Sequence, residues 1–134
     1  MSHRFIIALG VSVLLAACSS KAQTTSTTST ATAQQAGDFT ISTQFAPDPP
    51  KQGAETITIA LKDAGGNAVK GATVTIATNM PSMSMSGPTL TATDNGDGTY
   101  SAQTNLNYAT LWAFDIRAKA GTKTGKLIVK TDVK

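Results

Sequence analysis

Apolar residues recur at every second position through much of the chain from Asp38 to Lys134, and this period constrains the fold more than any other feature. The clearest run holds Ile57, Ile59 and Leu61 on one parity, with threonine and alanine between them. Further short apolar runs lie at 39–45, 72–77, 90–92, 100–106, 112–116 and 127–129. Because successive side chains of a strand point to opposite faces, these runs predict short strands with one buried face.

The segments between these runs are rich in turn-forming residues. Three prolines interrupt 46–50, and glycine, asparagine and aspartate crowd 63–67 and 94–98. No stretch keeps a helical period of 3.6 residues. About seven short strands predict an all-β fold, an Ig-like β-sandwich that about 97 residues can close without disulfides. The string at 94–98 is interpreted as a structural turn, with a calcium loop as the alternative.

The first 17 residues are typical of a secretory signal peptide. An apolar run at 5–17 follows a short basic start, and as a helix it is roughly 20 Å long, too short for a hydrocarbon core of about 30 Å. The run ends in Leu15-Ala16-Ala17-Cys18, which resembles a bacterial lipobox. That resemblance implies cleavage before Cys18 and its lipidation with acyl chains such as palmitate. The alternative is an ordinary secretory signal with a chance cysteine.

The residues after the signal predict a flexible tether. Residues 18–37 hold one charge and no aromatic or large aliphatic side chain, so they cannot bury enough surface to order themselves. The chain therefore divides into a signal peptide at 1–17, a lipidated Cys18 with its tether at 18–37, and a β-domain at 38–134. Ser19 after the cysteine implies, by the rule for Gram-negative lipoproteins, an anchor in the outer membrane with the domain facing the periplasm.

Composition argues against catalysis in the processed chain. Cleavage would remove the single histidine, and lipidation would consume the single cysteine, Cys18. Glu55 is the single glutamate, and no pair of acids stands out as an acid–base couple. We therefore predict that the protein is not an enzyme. With 14% charged residues, a net charge of +3 and no basic run, the chain is not predicted to bind nucleic acid.

Three of the four methionines, Met80, Met83 and Met85, lie within six positions. Thioether sulfur is a soft ligand that selects Cu(I) over hard ions. Strand parity predicts that Met80 points inward, and a loop after Pro81 would bring the three sulfurs together as a Cu(I) site. Trp112 or Tyr108 is a candidate to cover that site through a cation–π contact.

A packing role for the same methionines is the alternative, because methionine fills irregular gaps at the ends of cores. Met80 would then plug the sandwich, while Met83 and Met85 cap it or face a partner.

Six sequence elements carry a family resemblance: Pro50-x-x-Gly53, Ile57-x-Ile59, Asp63-x-x-Gly66-Asn67-x-Val69-x-Gly71-Ala72-x-Val74, Met80-Pro81-Ser82-Met83, Gly98-Thr99-Tyr100, and Leu106 to Trp112-x-Phe114-x-Ile116. Through them residues 47–131 resemble the YtkA-like domain, which is related to FixH-like proteins. The resemblance implies an extracytoplasmic Ig-like sandwich and a link to copper supply or heavy-metal efflux. It also implies that Met80 and Met83 match the family motif, with Met85 as an additional sulfur.

The sequence leaves two functions open. The first is a membrane-anchored, extracytoplasmic, non-enzymatic binding module that handles Cu(I) weakly through its methionine loop, with a metal-handling or efflux protein as partner. The second is a structural or protein-interaction domain without a metal role, whose contact surface is a sheet edge.

Overall fold

Short strands joined by tight turns make up most of the chain that the structure describes. A computed structural model describes residues 32–134. In this range it contains nine strands, one short 3₁₀ turn and no α-helix. The strands are β1 Ala33–Ala36, β2 Phe39–Ala46, β3 Gly53–Lys62, β4 Thr73–Met80, β5 Met85–Thr91, β6 Thr93–Asp94, β7 Thr99–Leu106, β8 Leu111–Ala120 and β9 Lys123–Asp132.

The strands form two antiparallel sheets. One sheet has the order β1-β2-β3-β7-β6 and the other the order β5-β4-β8-β9. The two sheets enclose one cluster of buried apolar side chains. The predicted all-β sandwich is therefore confirmed, with nine strands in place of about seven.

The inner faces of the sheets follow the alternation in the sequence. Ile57, Ile59 and Leu61 on β3 have no exposed surface, while the residues between them are partly exposed. The facing sheet contributes a second set of fully buried side chains: Val74, Ile76, Phe114 and Ile116. Burying each large aliphatic or aromatic side chain stabilises the fold by about 1.5–3 kcal/mol, so these two stripes hold the sheets together.

Strand β1 lies within the range that the sequence predicts as tether. Its residues pair along β2, from Ala33 opposite Ser42 to Ala36 opposite Phe39. Three of its four residues are exposed, so the strand is held by backbone pairing and shows no apolar alternation. The structure thus differs from the expected tether over 33–37, because a polar edge strand has no periodic signal to detect.

The predictions for the N-terminus concern residues outside those that the structure describes. These are the signal peptide at 1–17, the lipidated Cys18 and the first part of the tether. Within residues 32–134, no helix has the length and apolar character needed to cross a membrane.

The Gly98-Thr99-Tyr100 element closes one end of the sandwich. Gly98 has a φ of 89°, and a Cβ placed on it would lie 2.6 Å from the Cβ of Ala68. The Tyr100 hydroxyl donates to the carbonyl of Val69 at 2.7 Å and accepts from the amide of Ala72 at 3.1 Å. The tyrosine therefore satisfies two backbone groups of the connection that leads into β4.

Substitution of Gly98 is expected to destabilise the domain more than the same change at a nearby open position. Gly96→Ala adds a methyl group at a φ of 83° where nothing lies within 4 Å, so it should cost about 1 kcal/mol of backbone strain. Gly98→Ala adds the collision with Ala68 to a similar strain, so its total cost should be about 3 kcal/mol. Urea denaturation of both variants measures the difference, and equal losses would contradict the crowding at Ala68.

Candidate functional site

The methionine segment forms a tight reversal between two strands. Strand β4 ends at Met80, residues Pro81–Met83 make one 3₁₀ turn, and β5 begins at Met85. Proline suits the first turn because the position needs no amide donor. Ser84 takes the left-handed conformation with a φ of 51°, and its amide donates to the Pro81 carbonyl at 3.3 Å. The chain thereby turns back within four residues.

This reversal brings two of the methionines opposite each other. Met80 and Met85 are direct partners in the antiparallel register of β4 and β5. Directly opposed residues share one face of a sheet, with Cβ atoms about 4.5–5.5 Å apart. Met83 lies in the turn between them. The segment is therefore a hairpin whose base is a methionine pair and whose turn carries the third methionine.

The three methionines differ in their contact with solvent. Met80 is 3% exposed and belongs to the core, as its parity predicts. Met83 and Met85 are 40% and 43% exposed. The hairpin thus offers two accessible thioethers beside one that the core holds in place.

Trp112 lies inside the sandwich behind this hairpin. It is 2% exposed, it stacks with its ring centroid 6.3 Å from that of Phe114, and its Nε1 donates to the carbonyl of Tyr108 at 2.9 Å. A Cβ placed on Gly87 would lie 3.4 Å from the indole ring, so the start of β5 passes close to it. Tyr108 itself is 44% exposed. The covering role expected of Trp112 stays a prediction.

A buried carboxylate lies at the same end of the sandwich. Glu55 is 2% exposed on the inner face of β3, and no donor meets hydrogen-bond geometry at either oxygen. Strand β3 begins and β4 ends where the chain crosses from β7 to β8, which places Glu55 and Met80 at one end. The burial of Glu55 was not predicted from the sequence, although Glu55 has the same parity as the inward-facing Ile57.

Burial sets the protonation behaviour of this group. Desolvation raises the pKa of Glu55 above its ordinary value of 4.5, and the nearby charge of Asp48 adds a smaller rise. The backbone amides of Lys51 and Ala46 act in the opposite direction without forming well-aligned hydrogen bonds. The neutral acid is therefore the form that the fold favours.

The acidic turn at 94–98 uses its carboxylates to hold the backbone. Asp94 accepts from the amides of Gly71 at 2.7 Å and Gly96 at 2.8 Å, and Asp97 accepts from the amide of Thr99 at 2.9 Å. The Thr99 hydroxyl bond is the largest of the influences that lower the pKa of Asp97. No group of three or more His, Cys, Asp or Glu side chains suited to a metal occurs within residues 32–134. The arrangement favours the structural turn over the calcium loop.

Comparison with known proteins identifies a family. The family model described as YtkA-like matches residues 33–117, which is more than half of the chain. The match begins at the first residue of β1 and ends within β8. Among curated proteins, none shows significant similarity to the chain.

Peroxide should oxidise the three methionines at unequal rates. Met83 and Met85 are accessible, so we expect both to become sulfoxides at least about tenfold faster than Met80, which the core shields. Peptide mass spectrometry on a time course measures each rate. The same chain in denaturant is the control, where the three rates should converge. Equal rates in the folded protein would show that Met80 is not protected.

Replacing Glu55 should change how stability depends on pH. A raised folded pKa means that the group stabilises the fold below about pH 4.5, and that this contribution is lost as the pH rises through the folded value. Glu55→Gln should therefore gain stability relative to the parent chain as the pH rises from about 4.5 to neutrality. Denaturant unfolding at several pH values gives the two curves.

The control for this prediction is Asp132→Asn, which removes an exposed carboxylate. Comparing the Glu55→Gln curve with the curve of this control separates the effect of position 55 from the loss of one carboxylate. Parallel curves for the parent and Glu55→Gln would refute the raised pKa.

Proposed function

The chain belongs to the YtkA-like family, and on this premise we propose that it is a binding module of the cell envelope that takes up Cu(I) transiently through Met80, Met83 and Met85. The YtkA-like family is not a known enzyme family, and the β-sandwich fits a non-enzymatic structural or binding module. The observation that carries the copper proposal is the methionine hairpin, with Met80 and Met85 paired and Met83 in the turn between them.

The donor set decides which ion such a hairpin fits. Thioethers are soft and uncharged, so they favour Cu(I) and Ag(I) over Zn²⁺, Ca²⁺ or Mg²⁺. Within residues 32–134 no cluster of histidine, cysteine or carboxylate ligands competes with them. An ion held by neutral sulfur alone is held weakly, which suits cargo that is passed on.

The unequal exposure of the methionines supports a division of roles. Met80 is anchored by the core and gives the site a fixed element. Met83 and Met85 face solvent, so an incoming donor can replace them one at a time. Transfer to a metal-handling or efflux protein would proceed through such stepwise exchange of ligands.

The envelope location of this module rests on the N-terminal sequence. In the proposal Cys18 carries the lipid anchor, including palmitate-type chains, and residues 19–32 link it to the domain. Two or more acyl chains hold a protein stably at a membrane. The domain would then work in the periplasm at the outer membrane.

A protein-interaction role without metal is the second candidate, and a specific observation favours it. Met83, Met85 and Tyr108 are exposed by 40–44%, among the few large apolar side chains on the surface of residues 32–134. Flexible methionines adapt to varied apolar partners. In this alternative the same hairpin is a contact surface.

Competition with a chromophoric Cu(I) chelator tests the copper proposal. The full chain with Cys18→Ser is the parent, because the thiol would otherwise dominate Cu(I) binding. We expect the change of Met80, Met83 and Met85 to Leu to weaken the chain's Cu(I) affinity by at least about tenfold, or about 1.4 kcal/mol. Leucine replaces methionine at similar volume, so thermal unfolding should show an intact fold.

A variant with only Met83→Leu and Met85→Leu separates the accessible sulfurs from the buried one. Identical competition curves for the parent and the triple variant would eliminate the copper role. Crosslinking in cells then addresses the second candidate, since loss of a partner in the triple variant would identify the hairpin as its contact surface.

A further inference from the structure

Four basic side chains share the outer face of the β5-β4-β8-β9 sheet. Arg117 and Lys119 on β8 alternate with buried Ile116 and Ala118, and Lys126 and Lys130 on β9 alternate with Leu127 and Val129. The register places Arg117 beside Lys126, and Thr75 on its other side. A groove of about 690 Å³ runs over this face, with Thr73, Thr75 and Thr124 beside Arg117, Lys119 and Lys126.

The charges of the domain are unevenly distributed between the hairpin formed by β8 and β9 and the remaining described residues. Of the nine basic residues within 32–134, five lie on β8 and β9, against two of the eight acids. The β8–β9 hairpin therefore carries a net charge of +3. The remaining described chain has four basic and six acidic residues, a net charge of −2. The small net charge of the domain therefore results from an asymmetric distribution, with the positive charge concentrated on one side.

Asp115 offsets part of the positive charge of this face and orders two of its cations. Its Oδ2 lies 3.2 Å from both the Arg117 Nη2 and the Lys126 Nζ, whose side chains stay 63% and 53% exposed. The hydrogen bond from Arg117 is the largest influence lowering the pKa of Asp115, so the carboxylate stays charged. Lys119 and Lys130 form no ion pair with the described residues. The face thus presents an ordered cationic pair and two free ammonium groups.

The turn between β1 and β2 lies beside this same face. Gly37 lines the groove, and the amide of Asp38 donates to the carbonyl of Thr124 on β9 at 3.0 Å. Strand β1, the first strand of the described residues, contacts β9. A domain held at a membrane through its N-terminus would have this face within reach of the lipid.

We propose that the outer face of β4, β8 and β9 docks on a membrane surface through anionic phospholipid headgroups. Arg117, Lys119, Lys126 and Lys130 meet the phosphates, and the threonine hydroxyls between them donate further hydrogen bonds. A face whose cations are spread over two strands matches a plane of headgroups better than it matches a single small anion. Attraction of this kind adds up over each cation and weakens with salt. The proposal does not depend on metal binding.

Binding to vesicles tests this surface, with the full chain carrying Cys18→Ser as the parent. Each protein is measured on phosphatidylcholine vesicles and on vesicles that also contain phosphatidylglycerol. The neutral vesicles report what the apolar N-terminal run contributes, and the gain on anionic vesicles reports the charged face. We expect Lys119→Glu with Lys130→Glu to reduce that gain by at least about tenfold.

The matched control is Lys62→Glu with Lys70→Glu, which changes the net charge by the same amount at exposed positions outside β8 and β9. It should reduce the gain by less than about twofold. Lys119→Ser with Lys130→Ser gives an intermediate loss and guards against misfolding caused by the charge reversal, which thermal unfolding also monitors.

Two results would overturn the proposal. Equal losses in the Lys119 and Lys62 variants would show that only net charge matters. Tighter binding to polyglutamate than to the anionic vesicles, measured at the same salt concentration, would assign the face to an acidic protein. Tighter binding to the anionic vesicles, together with the loss in the Lys119 variant, is the result expected for a lipid surface.

Discussion

The structure depends on closing two sheets over a core that has no covalent cross-link within residues 32–134. Every inward position of the strands must therefore be apolar or have its polar groups paired, because an unpaired buried group costs about 1–3 kcal/mol. Most inward positions are aliphatic or aromatic, and Phe45 lies with its ring centroid 5.2 Å from that of Phe114. The few inward positions that are polar therefore show how each end of the sandwich meets this requirement.

The two ends of the sandwich meet this constraint differently. At the end of the Gly98 turn, buried polar groups are paired: the Tyr100 hydroxyl serves Val69 and Ala72, and the Leu61 amide donates to Gly98. At the opposite end the Glu55 carboxylate has no aligned donor, and the methionine hairpin leaves two thioethers in solvent. The first end is built for stability. The second end gives up some stability, because a buried carboxylate without an aligned donor costs free energy.

The sequence predicts the parts of this arrangement that follow from periodicity. The inward stripe of β3, the burial of Met80 and the two-sheet fold all derive from alternation with period two. Periodicity does not predict strand β1, because its pairing is made by backbone groups, which every residue has. Periodicity does not predict the pairing of Met80 with Met85 either, because the register depends on the 3₁₀ turn and the left-handed Ser84. Periodicity does not predict the basic face, because Arg117 and Lys126 are separated in the sequence and become neighbours only through the β8–β9 register.

Strand β8 also relates the two proposed surfaces, the methionine hairpin and the basic face. Strand β8 carries Trp112 at the methionine end and Arg117 and Lys119 on its outer face, so the methionine hairpin lies at one end of the sheet whose outer face is basic. If the outer face of a sheet lies on a membrane, its strands run parallel to the lipid plane. The methionine hairpin, which extends β4 and β5 at the strand ends, would then point along the surface. A soft-metal site so oriented would face proteins embedded in the same membrane, and it would be least accessible to partners approaching from the opposite side.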